Sequence, residues 1–197
     1  MSLLYDEAIA AVAGLRDAAR AVGEPEPTAM TLATAGIDGR VSARIVLLKQ
    51  IDERGFGFYT NYDSAKAHQL EENSSAAICI LWKTLNDIVQ VRAEGVVCKV
   101  AAADSDEYFA SRARASQIGA WASRQSQTLA TREELDARVA EFERKFKGVS
   151  VPRPPHWGGY CLVPEMIELW YGQRARLHER VRYEILDGAW SKRLLYP

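Results

Sequence analysis

Cysteine and histidine are scarce in this 197-residue chain, which contains three of each. Cys79, Cys98 and Cys161 are odd in number, lie far apart and show no C-x-x-C spacing. The sequence therefore predicts neither a disulfide framework nor a zinc site. None of the histidines stands in the H-E-x-x-H or H-x-H arrangements that are typical of metal enzymes. We expect a protein without a metal centre.

Long apolar runs and an excess of one charge are also missing. No run approaches the roughly 18 residues that a membrane-spanning helix needs, and the N-terminus lacks the basic start of a secretory signal. Lys and Arg number 25 and Asp and Glu 26, so the net charge does not indicate a nucleic-acid or membrane-surface partner. We expect a cytoplasmic protein that binds neither nucleic acid nor membrane.

Three common catalytic and nucleotide-binding motifs are absent. The chain contains neither G-x-G-x-x-G nor G-x-x-x-x-G-K-[ST], which excludes the usual glycine loops for dinucleotides and nucleoside triphosphates. It also lacks the G-x-S-x-G turn that carries the nucleophile of many hydrolases.

The chain does contain many short strands arranged as hairpins. Apolar spacing predicts an amphipathic helix over 3–22, and the turn Asp38-Gly39 between two apolar runs predicts a β-hairpin. Further strands are predicted at 57–61, 76–82, 89–93, 160–163, 166–171, 176–183 and 191–194. Helices are predicted at 65–72, from Asp104, and from Thr131, where Glu134 completes a capping box.

This order of elements favours a mainly β fold. Strands outnumber helices and come as hairpins, which predicts an antiparallel barrel with peripheral α-helices and not a doubly wound parallel sheet. We expect a single domain over 1–197, with the helix of residues 1–22 packed on it.

Arg176, His178 and Arg180 alternate near the end of the chain. On a β-strand they would share one face, about 7 Å apart in succession. Two positive charges at that distance repel by roughly 0.6 kcal/mol in water and about 2.4 kcal/mol at an effective dielectric constant of about 20. If the triplet is buried, this repulsion would favour binding of an anion. If it lies on a solvated strand face, the repulsion would be almost negligible. Both interpretations are open from these residues alone.

A second possible anion site involves Tyr108, Arg112 and Ser116. Their spacing of four residues would align them on one helical face if the helix continues that far. Arg, Ser and Tyr can bind phosphate through charge and hydrogen bonds. Solvation of a helix face is the competing interpretation.

Several sequence blocks, taken in order, resemble the pyridoxine/pyridoxamine 5'-phosphate oxidases. The blocks are R-I-V-L-L-K, F-Y-T-N, S-A-K, Y-F-A-S-R, S-Q-I-G-A-W-A-S-x-Q-S, W-G-G-Y and R-L-H-E-R-V-R-Y, within about 27–197. The resemblance implies an FMN-binding split β-barrel and a homodimer with the flavin at the subunit interface. It also implies oxidation of a phosphorylated B6 vitamer by O2 to pyridoxal 5'-phosphate, which releases H2O2, and ammonia from the amine.

The resemblance also implies the residues of the site. FMN would lie against the strand of residues 44–49, in a site formed by Arg44, Ile45, Val46, Leu47, Leu48, Lys49, Tyr59, Thr60, Lys66, Gln90, Gln125, Ser126, Trp170 and Arg180. The substrate phosphate would be bound by Lys49, Tyr108, Arg112 and Ser116. Arg176, Leu177 and His178 would contact the substrate, with Arg176 and His178 as the catalytic residues facing the pyridine ring. The triplet would thus be divided between two ligands.

The chain departs from the family pattern at three places. It reads S-A-K where the family usually has S-R-K, so Ala65 cannot supply a phosphate-binding arginine and weaker FMN binding is expected. The stretch L-N-D-I-V-Q differs from the family's L-x-R-Q, and Gln90 is its best match. The chain also starts after the family's N-terminal Arg/Tyr segment, so closure over the active site is expected to be looser or achieved differently.

Two alternative functions are compatible with the same fold. A related flavin oxidase of phenazine biosynthesis would share the R-L-H-E-R-like ending, but Lys49 and Arg112 favour a phosphorylated substrate. A non-catalytic flavin-binding protein is less consistent with Arg176 and His178, because storage of a flavin needs no second ligand site.

Overall fold

The computed structural model describes residues 2–86 and 88–197, which form one nine-stranded sheet and five α-helices. The helices are α1 (Leu3–Ala21), α2 (Ala65–Glu72), α3 (Ala102–Ser111), α4 (Arg114–Ala122) and α5 (Arg132–Lys145). The strands are β1 (Ala29–Ala35), β2 (Val41–Leu47), β3 (Gln50–Asp52), β4 (Gly55–Asn61), β5 (Ser75–Trp82), β6 (Val89–Lys99), β7 (Trp157–Tyr171), β8 (Glu179–Leu186) and β9 (Ala189–Leu195). None of the helices in these two stretches is long and apolar enough to span a membrane.

The sheet is antiparallel and curls on itself. Its main order is β2-β1-β5-β6-β7-β4-β3, and β8 and β9 extend from β7. The first part of β7 pairs with β4 and its last part with β8, so this 15-residue strand joins two parts of a half-barrel. The register between β6 and β7 shifts at Glu94/Gly95. A Cβ at Gly95 would lie 2.1 Å from the carbonyl oxygen of Val163, so only glycine permits this close approach.

The main core lies on one face of the sheet. A row of apolar side chains crosses it in register, from Leu32 through Ile78 and Ala93 to Ile167, and each is at most 1% exposed. Each of the larger side chains contributes roughly 1.5–3 kcal/mol by burial. Helix α1 adds Val12 to this core. This helix, Leu3–Ala21, lies where the periodic apolar spacing predicted one.

A smaller apolar cluster lies beneath α3, α4 and α5. It contains Phe109, Ile118, Phe146 and Trp157. Because Trp157 is also the first residue of β7, this cluster fixes the helices against the end of the sheet where β7 begins and β4 ends.

The predicted antiparallel fold with peripheral helices is confirmed, but two strand predictions are wrong in detail. The strands predicted at 160–163 and 166–171 form the single strand β7. The strand predicted at 176–183 begins only at Glu179. Ala175 and Arg176 have φ values of 56° and 61°, a left-handed conformation that cannot continue a strand. Arg176, His178 and Arg180 therefore do not share one strand face.

The expected alignment of Tyr108, Arg112 and Ser116 on one helix is also wrong. Helix α3 ends at Ser111, and Arg112 has the extended ψ value of 150°. A separate helix, α4, starts at Arg114. Any proximity of the three side chains must come from the angle between two helices.

Candidate functional site

A cavity of about 840 Å³ lies between β2, β4 and the α3–α4 region, within the usual size range of ligand pockets. Most of the predicted binding residues meet here, although they come from distant parts of the chain. Those lining the cavity are Arg44, Ile45, Val46, Leu47, Lys49, Tyr59, Thr60, Lys66, Tyr108, Arg112, Ser116 and Gln125. Leu48 is only 2% exposed and belongs to the core.

The cavity also includes residues that the sequence analysis did not select. They are Asn61, Ala113, Gly119, Ala120, Ser123 and Trp157. Asn61, Gly119, Ala120, Ser123 and Trp157 stand within the blocks F-Y-T-N, S-Q-I-G-A-W-A-S-x-Q-S and W-G-G-Y, so the blocks themselves carried the signal. Ala113 lies outside the blocks, and its place depends on the break between α3 and α4.

Lys66 is held at the start of α2 by neutral acceptors. Its ammonium donates hydrogen bonds to Thr60 Oγ1 (3.1 Å), Ser64 Oγ (3.1 Å) and Gln125 Oε1 (2.7 Å). The N–H of Ala65 donates to Ser126 Oγ at 3.2 Å. The end of β4, the first turn of α2 and the segment after α4 therefore meet at this point, where the helix dipole also favours an anion.

Arg44 lies beside Lys66, and its hydrogen-bond partners among the described residues are likewise neutral groups. Its guanidinium donates to Thr34 Oγ1 (2.6 Å), to the carbonyl oxygen of Leu32 (3.1 Å) and to Gln69 Oε1 (3.3 Å). Burial, and secondarily the charge of Arg44, lowers the pKa of Lys66 to about 8. An anion such as phosphate would therefore stabilise both charged forms.

Arg112 forms a second cationic point in the cavity. Its guanidinium lies 4.5 Å from the centre of the Trp157 ring, which belongs to a stack with Tyr59 and Tyr108. Its Nη1 is buried and has no hydrogen-bond partner among the residues that the structure describes. Burial lowers the pKa of this guanidinium. A buried donor without an acceptor is costly, so the site fits a ligand that supplies acceptor oxygens.

The cavity carries positive charge that the protein does not neutralise. Within the two described stretches, none of Arg44, Lys49, Lys66 and Arg112 has a carboxylate oxygen within 4.0 Å. Like charges in one cavity repel one another, so negatively charged groups of a ligand would stabilise them. The cavity can therefore accommodate anionic ligands.

The other predicted site residues lie outside this cavity. Gln90, Trp170 and Arg180 are register partners on β6, β7 and β8 and form one row across the sheet. The His178 ring lies 4.4 Å from the Trp170 ring, and His178 Nδ1 accepts a hydrogen bond from the N–H of Gln173 at 3.1 Å. Arg176 and Leu177 come just before β8 in the chain. Both side chains are exposed, Leu177 by 71%.

The residues that line the cavity and the row Gln90–Trp170–Arg180 lie toward different ends of β7. Trp157 lines the cavity at one end of the strand, and Trp170 lies near the other. A straight strand of 15 residues would span about 45 Å at roughly 3.3 Å per residue. Among the described residues of one chain, the cavity that Trp157 lines includes none of Gln90, Trp170 and Arg180.

One face of the sheet connects the two groups. A register row on this face runs from Ile45 on β2 through Cys79 and Arg92 to Arg182 on β8. At the β2 and β5 end its large apolar side chains are exposed, including Ile45 (63%) and Leu81 (42%). Exposed apolar side chains grouped on one face are typical of protein interfaces.

Comparison with known proteins identifies close relatives. The model of the pyridoxamine 5'-phosphate oxidase family matches residues 15–146, and that of the pyridoxine 5'-phosphate oxidase C-terminal dimerisation region matches 157–197. A pyridoxine/pyridoxamine 5'-phosphate oxidase of Xanthomonas euvesicatoria is 57% identical over 100% of both chains. One of Myxococcus xanthus is 56% identical over 87% of this chain and 82% of its own length.

Two solved structures have a similar fold. PhzG of Burkholderia lata, in complex with tetrahydrophenazine-1-carboxylic acid, is 32% identical with a TM-score of 0.91 and covers 100% of this chain and 98% of its own. An FMN-binding protein of Nostoc punctiforme related to pyridoxamine 5'-phosphate oxidase is 18% identical with a TM-score of 0.74, over 95% and 96% of the two chains. The second likeness confirms the split-barrel fold.

Proposed function

Because the chain belongs to the pyridoxamine 5'-phosphate oxidase family, we propose that it oxidises pyridoxine 5'-phosphate, pyridoxamine 5'-phosphate or both to pyridoxal 5'-phosphate. The cofactor is FMN and the electron acceptor is O2. The products are pyridoxal 5'-phosphate and H2O2, and the amine substrate also consumes water and releases ammonia. The chemistry that FMN supplies when bound is acceptance of a hydride equivalent from C4' of the substrate and transfer of the electrons to O2.

The observation that carries this proposal is the presence of two cationic sets in one cavity. Arg44 on β2 and Lys66 at the start of α2 have neutral partners, and they bind the phosphate of FMN. Arg112, with a buried Nη1 that lacks an acceptor among the described residues, binds the phosphate of the vitamer together with Lys49 and Ser116. Two phosphorylated ligands bound side by side account for both sets.

The protein's own residues position the reactants. Tyr108 is stacked on Tyr59 at 4.0 Å between ring centres, and its hydroxyl contributes a hydrogen bond to the substrate phosphate. Arg176 stabilises anionic character on the substrate, and His178 hydrogen-bonds to the pyridine ring or moves a proton there. Most of the catalytic effect of the protein therefore comes from orientation and charge.

The active unit is a homodimer with FMN at the subunit interface. The separation of the cavity from the row Gln90–Trp170–Arg180 supports this proposal, because a second subunit can bring its own row to the cavity of the first. The exposed side chains of Ile45 and Leu81 on the connecting face support such a contact. The match of residues 157–197 to a dimerisation region supports it further.

Oxidation of a reduced phenazine carboxylate is the second candidate function. It is favoured by the likeness to PhzG, whose structure contains tetrahydrophenazine-1-carboxylic acid. A carboxylate could pair with Arg112, but it would leave Lys49 and Ser116 with little to bind. The phosphorylated vitamer uses all of these groups and is therefore the better substrate.

Substrate turnover distinguishes these functions. The FMN-loaded protein is supplied with pyridoxine 5'-phosphate, pyridoxamine 5'-phosphate or a dihydrophenazine carboxylate, and H2O2 is measured. We expect peroxide with at least one vitamer phosphate and little with unphosphorylated pyridoxine. Peroxide from the phenazine alone would establish the second candidate, and flavin binding without turnover of any substrate would indicate a flavin-binding protein.

A further inference from the structure

We propose that Glu168 is a positioning residue that holds the guanidinium of Arg180 in the orientation required for flavin binding. Glu168 lies on β7 and is only 2% exposed, although carboxylates are rarely buried unless they are paired. The inference rests on the proposed function, because it is Arg180 that contacts the flavin there.

Glu168 and Arg180 are joined by several hydrogen bonds. Arg180 Nη2 lies 3.0 Å from Oε1 and 3.1 Å from Oε2 of Glu168, and its Nε lies 3.3 Å from Oε1. The direct register partner of Arg180 is Trp170, whereas Glu168 faces Arg182. Arg180 therefore reaches diagonally to Glu168, which fixes its guanidinium on the face that also carries Trp170.

Of the three arginines near Glu168, Arg180 depends most on it for a carboxylate partner. Arg182 donates to Glu168 Oε2 at 2.6 Å but also has Glu184 within 3.9 Å. Arg92 lies 3.9 Å from Glu168 and is paired with Glu94 at 2.5 Å. Among the described residues, Arg180 has no carboxylate partner other than Glu168, and its remaining acceptor is the carbonyl oxygen of Tyr196 at 3.0 Å.

The carboxylate remains charged in this position. Burial alone would raise the pKa of Glu168, but hydrogen bonds from Arg182 and Arg180 outweigh that effect and hold the pKa below its usual value. Loss of this charge would leave Arg180 repelled by Arg182, with its bond to the carbonyl oxygen of Tyr196 as a weaker restraint on its orientation. We expect this loss to change the orientation of Arg180 but not the binding of the substrate phosphate, which occurs in the cavity.

The test uses Glu168→Gln, which keeps the shape and removes the charge. FMN affinity is measured by quenching of flavin fluorescence in the purified full-length protein, and the flavin absorption spectrum and KM for the vitamer phosphate are recorded. We expect the Kd for FMN to rise about tenfold or more, as for the loss of a charged hydrogen bond, with a shifted flavin spectrum and a KM changed by less than about twofold. Glu184→Gln is the matched control on β8 and should leave the Kd within about twofold.

A double-mutant cycle separates positioning from a general effect on folding. In an Arg180→Ala background, Glu168→Gln should change the Kd for FMN by less than about twofold, because the group through which it acts is gone. An equally large change in that background would overturn the proposal. Glu168→Asp keeps the charge and shortens the reach, and we expect an intermediate Kd. Failure of both Glu168 variants to fold would assign this residue to the fold alone and overturn the proposal.

The proposed function and this inference fail in different ways. Wild-type protein that binds no FMN would contradict the proposed function and, with it, the role of Glu168. Wild-type protein that binds FMN and oxidises a vitamer phosphate, together with an unchanged Kd in Glu168→Gln, would overturn only the role of Glu168.

Discussion

Replacement of Arg112 by alanine should weaken binding of the phosphorylated substrate with little effect on the stability of the ligand-free protein. In the absence of ligand, its Nη1 is buried without an acceptor among the described residues, so the side chain gains little from its polar surroundings. Its main contact is with the Trp157 ring at 4.5 Å, and such a cation–π contact contributes about 0.5–2 kcal/mol.

The expected loss of binding is larger. A hydrogen bond between charged groups contributes about 1.5–3 kcal/mol, so loss of Arg112 should lower kcat/KM for the vitamer phosphate by roughly 10- to 150-fold, mainly through KM. Initial rates of H2O2 formation measure this effect. Arg112→Lys should recover part of the affinity, because it restores the charge but not the planar pair of donors.

Arg114 provides a matched control two residues away. Its guanidinium donates to the carbonyl oxygens of Val149 (2.9 Å) and Phe146 (2.6 Å), and its side chain does not line the cavity. Arg114→Ala should therefore reduce the free energy of unfolding by about 1–3 kcal/mol and leave KM nearly unchanged. An unchanged KM in Arg112→Ala, or an equal rise in KM in both variants, would refute the assignment of Arg112 to the phosphate site.

Three further outcomes are expected. Ala65→Arg should lower the Kd for FMN by about tenfold, and equilibrium titration that finds no gain would contradict a missing phosphate contact. Burial lowers the pKa of Lys66 to about 8, and bound phosphate favours its charged form. FMN affinity should therefore fall as pH rises from 8 to 10. If Lys66→Met shows the same fall in FMN affinity over this pH range, Lys66 is not its cause. Leu81 is 42% exposed on the proposed contact face, so Leu81→Asp should shift the proposed homodimer toward monomer in sedimentation experiments. A dimer that is unaltered by this substitution would exclude this face as the subunit interface.

The parts of the fold that depend on local pattern were predictable. Helix α1 follows from its apolar spacing, and the hairpin of β1 and β2 from the turn at Asp38-Gly39. Helix α5 starts where Thr131 accepts a hydrogen bond from the N–H of Glu134. Each of these signals acts between residues that are close in the chain, so the local sequence is sufficient to predict the element.

The parts that depend on contacts between distant segments were not predictable from pattern. The spacing of Tyr108, Arg112 and Ser116 suggested one helix, but the chain turns after Ser111, and the small apolar cluster beneath α3 and α4 holds the two helices together. Alternation of Arg176, His178 and Arg180 suggested a strand, but the left-handed backbone at Arg176 delays the strand to Glu179. Periodicity cannot detect such breaks, because tertiary packing decides them.

The sequence by itself therefore determined the family, the antiparallel fold and most of the residues that line the candidate site. Only the tertiary structure decided how these residues are divided, with Arg44, Lys66 and Arg112 in one cavity and Trp170 and Arg180 near the far end of β7. It alone also revealed the burial of Glu168 against Arg180 and the lowered pKa of Lys66. The physical reason is that burial and charge pairing depend on neighbours in space, and for these residues many such neighbours lie far away in the chain.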